Sequence, residues 1–320
     1  MSQSWAGIGS TITVNELTDL IRHAAQDMQG FAQLCNPPTG QALGRGRGDT
    51  IQYTFFPNLS VSGGVLSENE EIPEGSLVPI SGSYTVQEYG NSTSWTGKLE
   101  MLSRLPVEDG LMQALINDMK KAQNSAAFAE FNSTSWIATF STVADEFRTD
   151  GAQASFTNVA SEDLSLANLR YVVKEARKRL IPYFDGESYV YITGVDSCDA
   201  IRYDSAVSTM LQYDSGRAAL NGEVGRLATC RLVEDTHKIV KAGDDGGAGT
   251  PTGAGLNLDV GFLVGADAVI NEYALPPEVR AQDKDLGRSI KVAWYFIAAW
   301  KKIYSQTLHS KEHVIKVTSK

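Results

Sequence analysis

The stretch from Arg45 to Phe131 limits what this chain can become: two alternating runs joined by a long polar connection, followed by one long amphipathic segment. Thr50-Ile51-Gln52-Tyr53-Thr54-Phe55 alternates polar with β-branched or aromatic residues, the period of a half-buried strand. Ser83-Tyr84-Thr85-Val86-Gln87-Glu88-Tyr89 alternates in the same way, and Ser94-Trp95-Thr96-Gly97-Lys98-Leu99-Glu100 extends the pattern past a turn expected at Gly90-Asn91. Between the runs, Pro57 to Gly82 is rich in Ser, Gly, Glu and Pro and carries Glu68, Glu70, Glu71 and Glu74. Connections longer than ~12–15 residues are generally functional or disordered in compact domains. An isolated two-stranded ribbon is also marginal in water, so this one needs a packing partner.

The segment after it predicts a helix from Leu105 to Phe131. Pro106 suits the first turn, where its missing N–H would be unpaired anyway, and Glu108 and Asp109 place negative charge at the positive end of the dipole. Met112, Leu115, Ile116, Met119, Ala122, Ala126 and Ala129 recur at helical spacing, with Asp118, Lys120, Lys121 and Asn124 on the other face. At ~1.5 Å per residue the helix reaches roughly 40 Å.

The rest of the chain reads as an approach and a body. Met1 to Gly44 holds one helical segment, capped at Thr13 or Asn15, with little core of its own. Ser133 to Ser165 is a linker or a set of short strands. Leu166, Leu169, Val172, Val173, Ala176 and Leu180 predict a second helix, capped at Ser165 or Asn168, with Lys174, Arg177, Lys178 and Arg179 near its C-terminal end and Pro182 as its stop. Glu187 to Thr193 predicts a strand and Asp196 to Tyr203 a helix. Asn221 to Leu227 leads as a turn into a strand over Ala228 to Glu234, and Lys241 to Gly255 is an exposed loop. Gly261 to Gly265, Lys291 to Tyr304 and Val314 to Val317 predict strands, although Ile290 to Ile303 also fits a helix. Helix feeding strand in one body is a mixed α and β architecture.

Composition excludes several function classes. In 320 residues, 42% hydrophobic and 21% charged, there is material for more than one core. A net charge of −10 repels nucleic acid and anionic membranes. Cys35, Cys198 and Cys230 stand far apart in no metal-ligand spacing. The start has neither a basic segment nor an apolar run, so a cytoplasmic protein with no membrane partner is expected.

The catalytic candidates are weak. His309-Ser310-Lys311-Glu312-His313 has the H-x-x-E-H order of a zinc site, but only Val314 to Lys320 remain to supply a third ligand. In extended chain its imidazoles would also stand ~13 Å apart. Asp244-Asp245-Gly246-Gly247 lacks the spaced carboxylates of a calcium loop. Gly44-Arg45-Gly46-Arg47-Gly48 precedes a strand, unlike a phosphate loop, and reads as a hinge whose Arg45 and Arg47 meet a neighbour's carboxylates. Glu68, Glu70, Glu71 and Glu74 read as a solvated charge run before an acid/base pair. No catalytic residue, cofactor or metal is expected, and a metalloprotease on His309, Glu312 and His313 stays as the enzyme alternative.

The pieces, in their order, resemble the tailed-phage major capsid proteins of the Hong Kong 97-type fold. Gly48 to Tyr53 through Glu70-Glu71-Ile72-Pro73-Glu74-Gly75 is similar to the ascending half of that family's extended loop, Tyr84 to Gly90 to its return, and Leu105 to Phe131 to its spine helix. Asn221-Gly222-Glu223-Val224-Gly225-Arg226-Leu227 and Asp285-Leu286-Gly287-Arg288 with Val292-Ala293-Trp294 are similar to segments of capsid proteins like that of coliphage N-four. The resemblance implies an α+β, Hong Kong 97-like fold: an N-terminal arm (1–46), an extended β-hairpin loop or E-loop (47–103), a spine helix and peripheral domain (104–160), an axial domain (161–275) and closing strands of the peripheral domain (276–320).

It further implies a structural protein of the virion, assembled in the host bacterial cytoplasm as hexamers and pentamers of itself around double-stranded DNA bound without sequence specificity. Scaffold, portal and decoration proteins are the other implied partners, and Arg45, Arg47, Glu68, Glu70, Glu71 and Glu74 the implied contacts between subunits. From Gly48 to Gly97 there is no lysine, so the lysine–asparagine crosslink of some relatives is not expected. An encapsulin-like nanocompartment shell shares the fold and is the alternative.

Overall fold

The expected ribbon is present with a shorter return: β1 (Thr50–Phe55) and β2 (Ile80–Thr85) pair antiparallel from Thr50↔Thr85 to Phe55↔Ile80, whereas Gln87 to Tyr89 of the expected return run pair in another sheet. In the computed structural model the described residues are 30–36, 48–57, 59, 63–66, 68, 71–72, 74–103, 106–151, 162–207, 226–235, 259–306 and 310–319. The expected helix near Thr13, the residues Arg45, Arg47, Glu70 and His309, the Asn221 turn, and the loops over 241–255 lie outside them.

The turn expected at Gly90-Asn91 is absent. Instead β3 (Gln87–Thr96) runs straight through both residues, because β11 (Ser289–Lys302) pairs with it from Ser289↔Thr96 to Ala298↔Gln87. Gly90 serves close approach rather than a bend: a Cβ there would stand 3.1 Å from the Trp294 carbonyl oxygen. The pattern then breaks at Thr96, whose hydroxyl accepts from the Leu99 N–H and caps a short helix, α1 (Gly97–Leu102). The strand reading of Gly97 to Glu100 is thus corrected. Trp95 and Leu99 both turn into the core, and that burial outweighs the β alternation.

The long helix is α2 (Val107–Asn132), starting one residue after Pro106 with Glu108 and Asp109 in its first turn. Its most buried residues are Leu115, Asn124, Ala127 and Phe131. Asn124 falls on the polar face by helical period. It is buried because a 3-10 turn at Phe31–Leu34 lies against the helix, and its side-chain oxygen accepts the Ala32 N–H at 3.0 Å. The segment before the ribbon therefore does contribute to the core.

Two sheets flank this helix. The first has the order β10-β11-β3, where β10 (Val269–Lys284) is a 16-residue strand that no local period predicts. Pro276 and Pro277 fall where its register shifts, between Leu275↔Ile297 and Glu278↔Tyr295. Two residues without N–H donors are tolerated there because the strand is at an edge and bulged. The strand reading of Lys291 to Tyr304 holds over its alternative, a helix.

The second sheet has seven strands in the order β5-β4-β12-β9-β6-β8-β7: β4 (Ile137–Thr139), β5 (Glu146–Arg148), β6 (Tyr189–Thr193), β7 (Arg226–Leu227), β8 (Cys230–Glu234), β9 (Asp259–Val264) and β12 (Val314–Ser319). It separates two cores. Val190, Ile192, Val260, Phe262, Val264 and Val314 face α2 and the first sheet. Tyr189, Tyr191, Leu263, Ile315 and Val317 face the other way, onto Leu166, Leu169, Val172, Val173 and Ala176 of α3 (Leu166–Lys178). Strands covered on both faces read as continuous apolar runs, which is why β6, β9 and β12 were legible. Ser165 caps α3, and α4 (Val195–Tyr203) follows β6. Leu180, expected on the buried face, is exposed in a left-handed conformation past the end of α3.

Val314–Ser319 sits between β4 and β9 in the second sheet, and residues 269–275 belong to the first, because pairing follows space rather than chain order.

One side chain in β12 makes the core sensitive to pH. Burial lowers the Lys316 ammonium from 10.5 to about 8. Between those values the unfolded chain holds more protons than the folded one, so this residue's contribution to stability rises from pH 8 to 10.5. Below pH 8 the cost of the buried cation is fully present. Lys316→Met is expected to gain on the order of 2 kcal/mol over wild type at pH 7 and to lose that advantage by pH 10.5, read from urea midpoints at the two values.

Candidate assembly surfaces

At its root the ribbon is tied to the body. The Tyr84 hydroxyl donates to the buried Glu272 carboxylate at 2.5 Å, and Tyr53 donates to the Ile303 carbonyl at 3.1 Å. Phe55 meets the Tyr304 ring edge-on, 5.7 Å between centroids, and Ile51 and Tyr84 pack on Ala299. Both burial and the adjacent Glu272 carboxylate hold the Tyr84 phenol neutral, raising its pKa far above the usual value.

Beyond the root large apolar side chains are exposed. Phe56 is 65% exposed, Val65 fully so and Ile72 73%, and Leu59, Leu66, Leu77 and Val78 are exposed as well. Seven large apolar side chains within one polar connection exceed the scattered exposure usual on a monomer. Full burial of each against a partner is worth about 1.5–3 kcal/mol. In the sequence the Ser, Gly, Glu and Pro of this stretch dominate, and these apolar residues carry no signal because they follow neither a helical nor a strand period. Glu68, Glu71 and Glu74 are exposed among them, and no described cation lies within ion-pair distance of the three. Arg45, Arg47 and Glu70, the other proposed contacts, lie outside the described residues.

The enzyme candidate resolves differently. Glu312 is wholly buried and accepts from the Ser135 N–H (2.8 Å), the Trp136 N–H (3.3 Å), the Gln306 N–H (3.3 Å), the Thr134 hydroxyl and the Lys302 ammonium (2.9 Å). Its acceptor positions are occupied by structure. The His313 ring has its Nδ1 2.5 Å from the Ala266 carbonyl and stacks on Tyr304, 3.8 Å between centroids. Among the described residues no group of three His, Cys, Asp or Glu could hold a metal ion, and no helix is long and apolar enough to cross a membrane. Burial pushes the Cys35 and Cys230 thiols up to about 12, so neither is a thiolate nucleophile at neutral pH.

A second surface went unread in the sequence. Arg170, Lys174, Arg177 and Lys178 of α3 face the turn at Ala228 and Thr229 across an open groove of about 600 Å³. In the sequence Lys174, Arg177 and Lys178 read as partners of a helix dipole, and Arg170 carries no signal. Only the approach of the β7–β8 turn makes a groove of them.

No family model and no curated protein matches the sequence. Among solved structures, the chain is similar to the capsid of Helicobacter pylori bacteriophage KHP30, with a TM-score of 0.68 at 14% identity over 98% of this chain and 97% of that one. The head structure of Helicobacter pylori bacteriophage KHP40 matches with a TM-score of 0.67 at 15% identity, covering 95% of this chain and 94% of that one. The capsid asymmetric unit of cyanophage Pam1 matches with a TM-score of 0.65 at 15% identity, covering 97% of each chain. The fold is therefore that of these capsid chains over nearly the whole length of the chain.

Proposed function

We propose that this chain is the major capsid protein of a tailed phage, assembling with itself as hexamers and pentamers into an icosahedral head around double-stranded DNA. The observation that carries this reading is a capsid-type fold, matched over nearly its whole length, bearing an apolar arm that the chain itself leaves uncovered. On this reading the ribbon and its tip are the extended loop and α2 is the spine helix. The three-stranded sheet forms the peripheral domain with α2, the seven-stranded sheet with α3 and α4 forms the axial domain, and residues 1–46 are the N-terminal arm. Arg45 and Arg47 at the ribbon's hinge, and Glu68, Glu70, Glu71 and Glu74 near its tip, are contacts between subunits.

The role is structural, with no catalytic step, cofactor or metal. An acidic wall suits it, since a surface that held DNA tightly would hinder packaging and ejection. Scaffold, portal and decoration proteins are the further partners, met in the bacterial cytoplasm before the protein reaches the virion.

Electron microscopy and sedimentation of the protein, expressed alone and with its genetic neighbours, test this. Regular shells, or rings of five and six, are expected. The variant Ile72→Asp/Val78→Asp is expected to keep the wild-type melting temperature within a few degrees and to lose assembly, because both side chains are exposed in the monomer. A wild-type chain that stays monomeric in both settings sinks the reading. Shells filled with protein cargo and devoid of DNA would turn it toward a nanocompartment.

A further inference from the structure

Three cations on α3 have no counter-charge among the described residues, in a chain whose net charge is −10. Glu175 pairs with Lys178 at 2.9 Å and with Arg179, whereas no described carboxylate lies within ion-pair distance of Arg170, Lys174 or Arg177. Two of the three are nevertheless held in place. The Lys174 ammonium lies 4.7 Å over the Tyr171 ring, and the Arg177 guanidinium lies 5.9 Å over that of Tyr183. Arg177 also donates to the Thr229 hydroxyl oxygen at 2.8 Å, while that hydroxyl donates to the Ala228 carbonyl.

The turn that supplies this hydroxyl is strained. Ala228 and Thr229 connect β7 to β8 with φ of +50° and +63°, the mirror-image turn that favours Asn-Gly. A β-branched residue at positive φ is an outlier, and such outliers cluster where a site needs them. Here the turn sets one acceptor against Arg177 in the groove. A strained turn and a cation row without a described carboxylate partner thus meet at one place by independent routes.

We infer that this groove receives an acidic segment from a second copy of the chain, the stretch carrying Glu68, Glu71 and Glu74. The inference rests on the assembly reading above and adds where one copy meets the next. Arg170 and Arg177 are seven residues apart on a helix, ~10 Å along its axis. Successive glutamates three residues apart in extended chain are also ~10 Å apart. The groove's volume suits a few residues of extended chain, and its Val173 and Ala228 offer an apolar floor to neighbours such as Ile72. Because each copy carries both groove and acidic segment at different places, the contact is head-to-tail, the type that closes rings.

Charge reversal tests it. Arg170→Glu, which breaks no described contact, and Glu71→Arg are each expected to leave melting unchanged and to cut shell yield at least tenfold, and combining the two should restore it. In parallel, a synthetic peptide of residues 63–76 and a short DNA duplex are titrated onto unassembled full-length protein. The peptide is expected to bind, to weaken at least tenfold with Arg170→Glu or Arg177→Glu, and to weaken with salt. Single reversals that assemble like wild type, a combination without recovery, or a groove that binds the duplex and not the peptide would each overturn the inference. The peptide titration reads the groove even if the wild-type chain forms no shells, which separates its failure from that of the assembly reading.

Discussion

Glu312→Ala is expected to destabilise the protein by about 3–5 kcal/mol, a large fraction of the ~5–15 kcal/mol that separates folded from unfolded chains. The carboxylate holds three parts of the molecule together: the exit of α2 through Thr134, Ser135 and Trp136, the end of β11 through Lys302, and the approach to β12 through Gln306. Lys302 is itself only 6% exposed and would be left as an uncompensated buried cation, with the Ser133 carbonyl at 3.0 Å as its remaining contact. Glu312→Gln keeps an acceptor for the backbone donors and loses the charge, so its cost should fall between wild type and alanine. Urea unfolding measures all three proteins. If Glu312→Ala unfolds at the wild-type midpoint, the clamp is not holding the fold and the enzyme reading of His313 and Glu312 returns. Zinc that raises the wild-type melting point would point the same way.

Phe31→Ala should cost a similar amount, about 3–5 kcal/mol, through the cavity it leaves. The ring is fully buried, with centroids of Phe128, Phe131 and Phe262 at 5.1, 5.6 and 5.6 Å. It joins the segment ahead of the ribbon to α2 and to β9 at once. A loss under about 1 kcal/mol would mean that this segment is not seated between helix and sheet. Phe31→Leu, which refills most of the volume, is the control and should recover more than half of the loss.

Both residues were hard to read for a shared reason. Phe31 stands in Gly30-Phe31-Ala32-Gln33-Leu34, too short for any period, and Glu312 stands in a polar run that imitates a metal motif. What buries them lies about 100 and 180 residues away along the chain, as the Ala32–Asn124 and Thr134–Glu312 hydrogen bonds record with separations of 92 and 178. Local pattern carries no information about such partners.

The candidate surfaces divide in the same way. Glu68, Glu71 and Glu74 were visible as a charge run, and the length of their connection already asked for a partner. The groove was not visible, since Arg170, Lys174 and Arg177 make an ordinary polar helix face until Ala228 and Thr229 are brought against it. The apolar arm residues were in plain view, yet only their exposure in the fold distinguishes them from a core.

By itself the sequence determined the elements whose burial repeats with a local period: the ribbon of β1 and β2, α2, α3, β6, α4 and the strands near the C-terminus. It also determined the order of these elements, and with it the resemblance to a capsid fold. Tertiary structure alone decided that β3 continues through Gly90, that α1 replaces a strand after Thr96, and that β10 accommodates Pro276 and Pro277 at a bulged edge. It likewise decided that β12 joins the seven-stranded sheet. Each of these depends on pairing between residues far apart in the chain, whose free energy comes from area buried in common rather than from any neighbour's side chain.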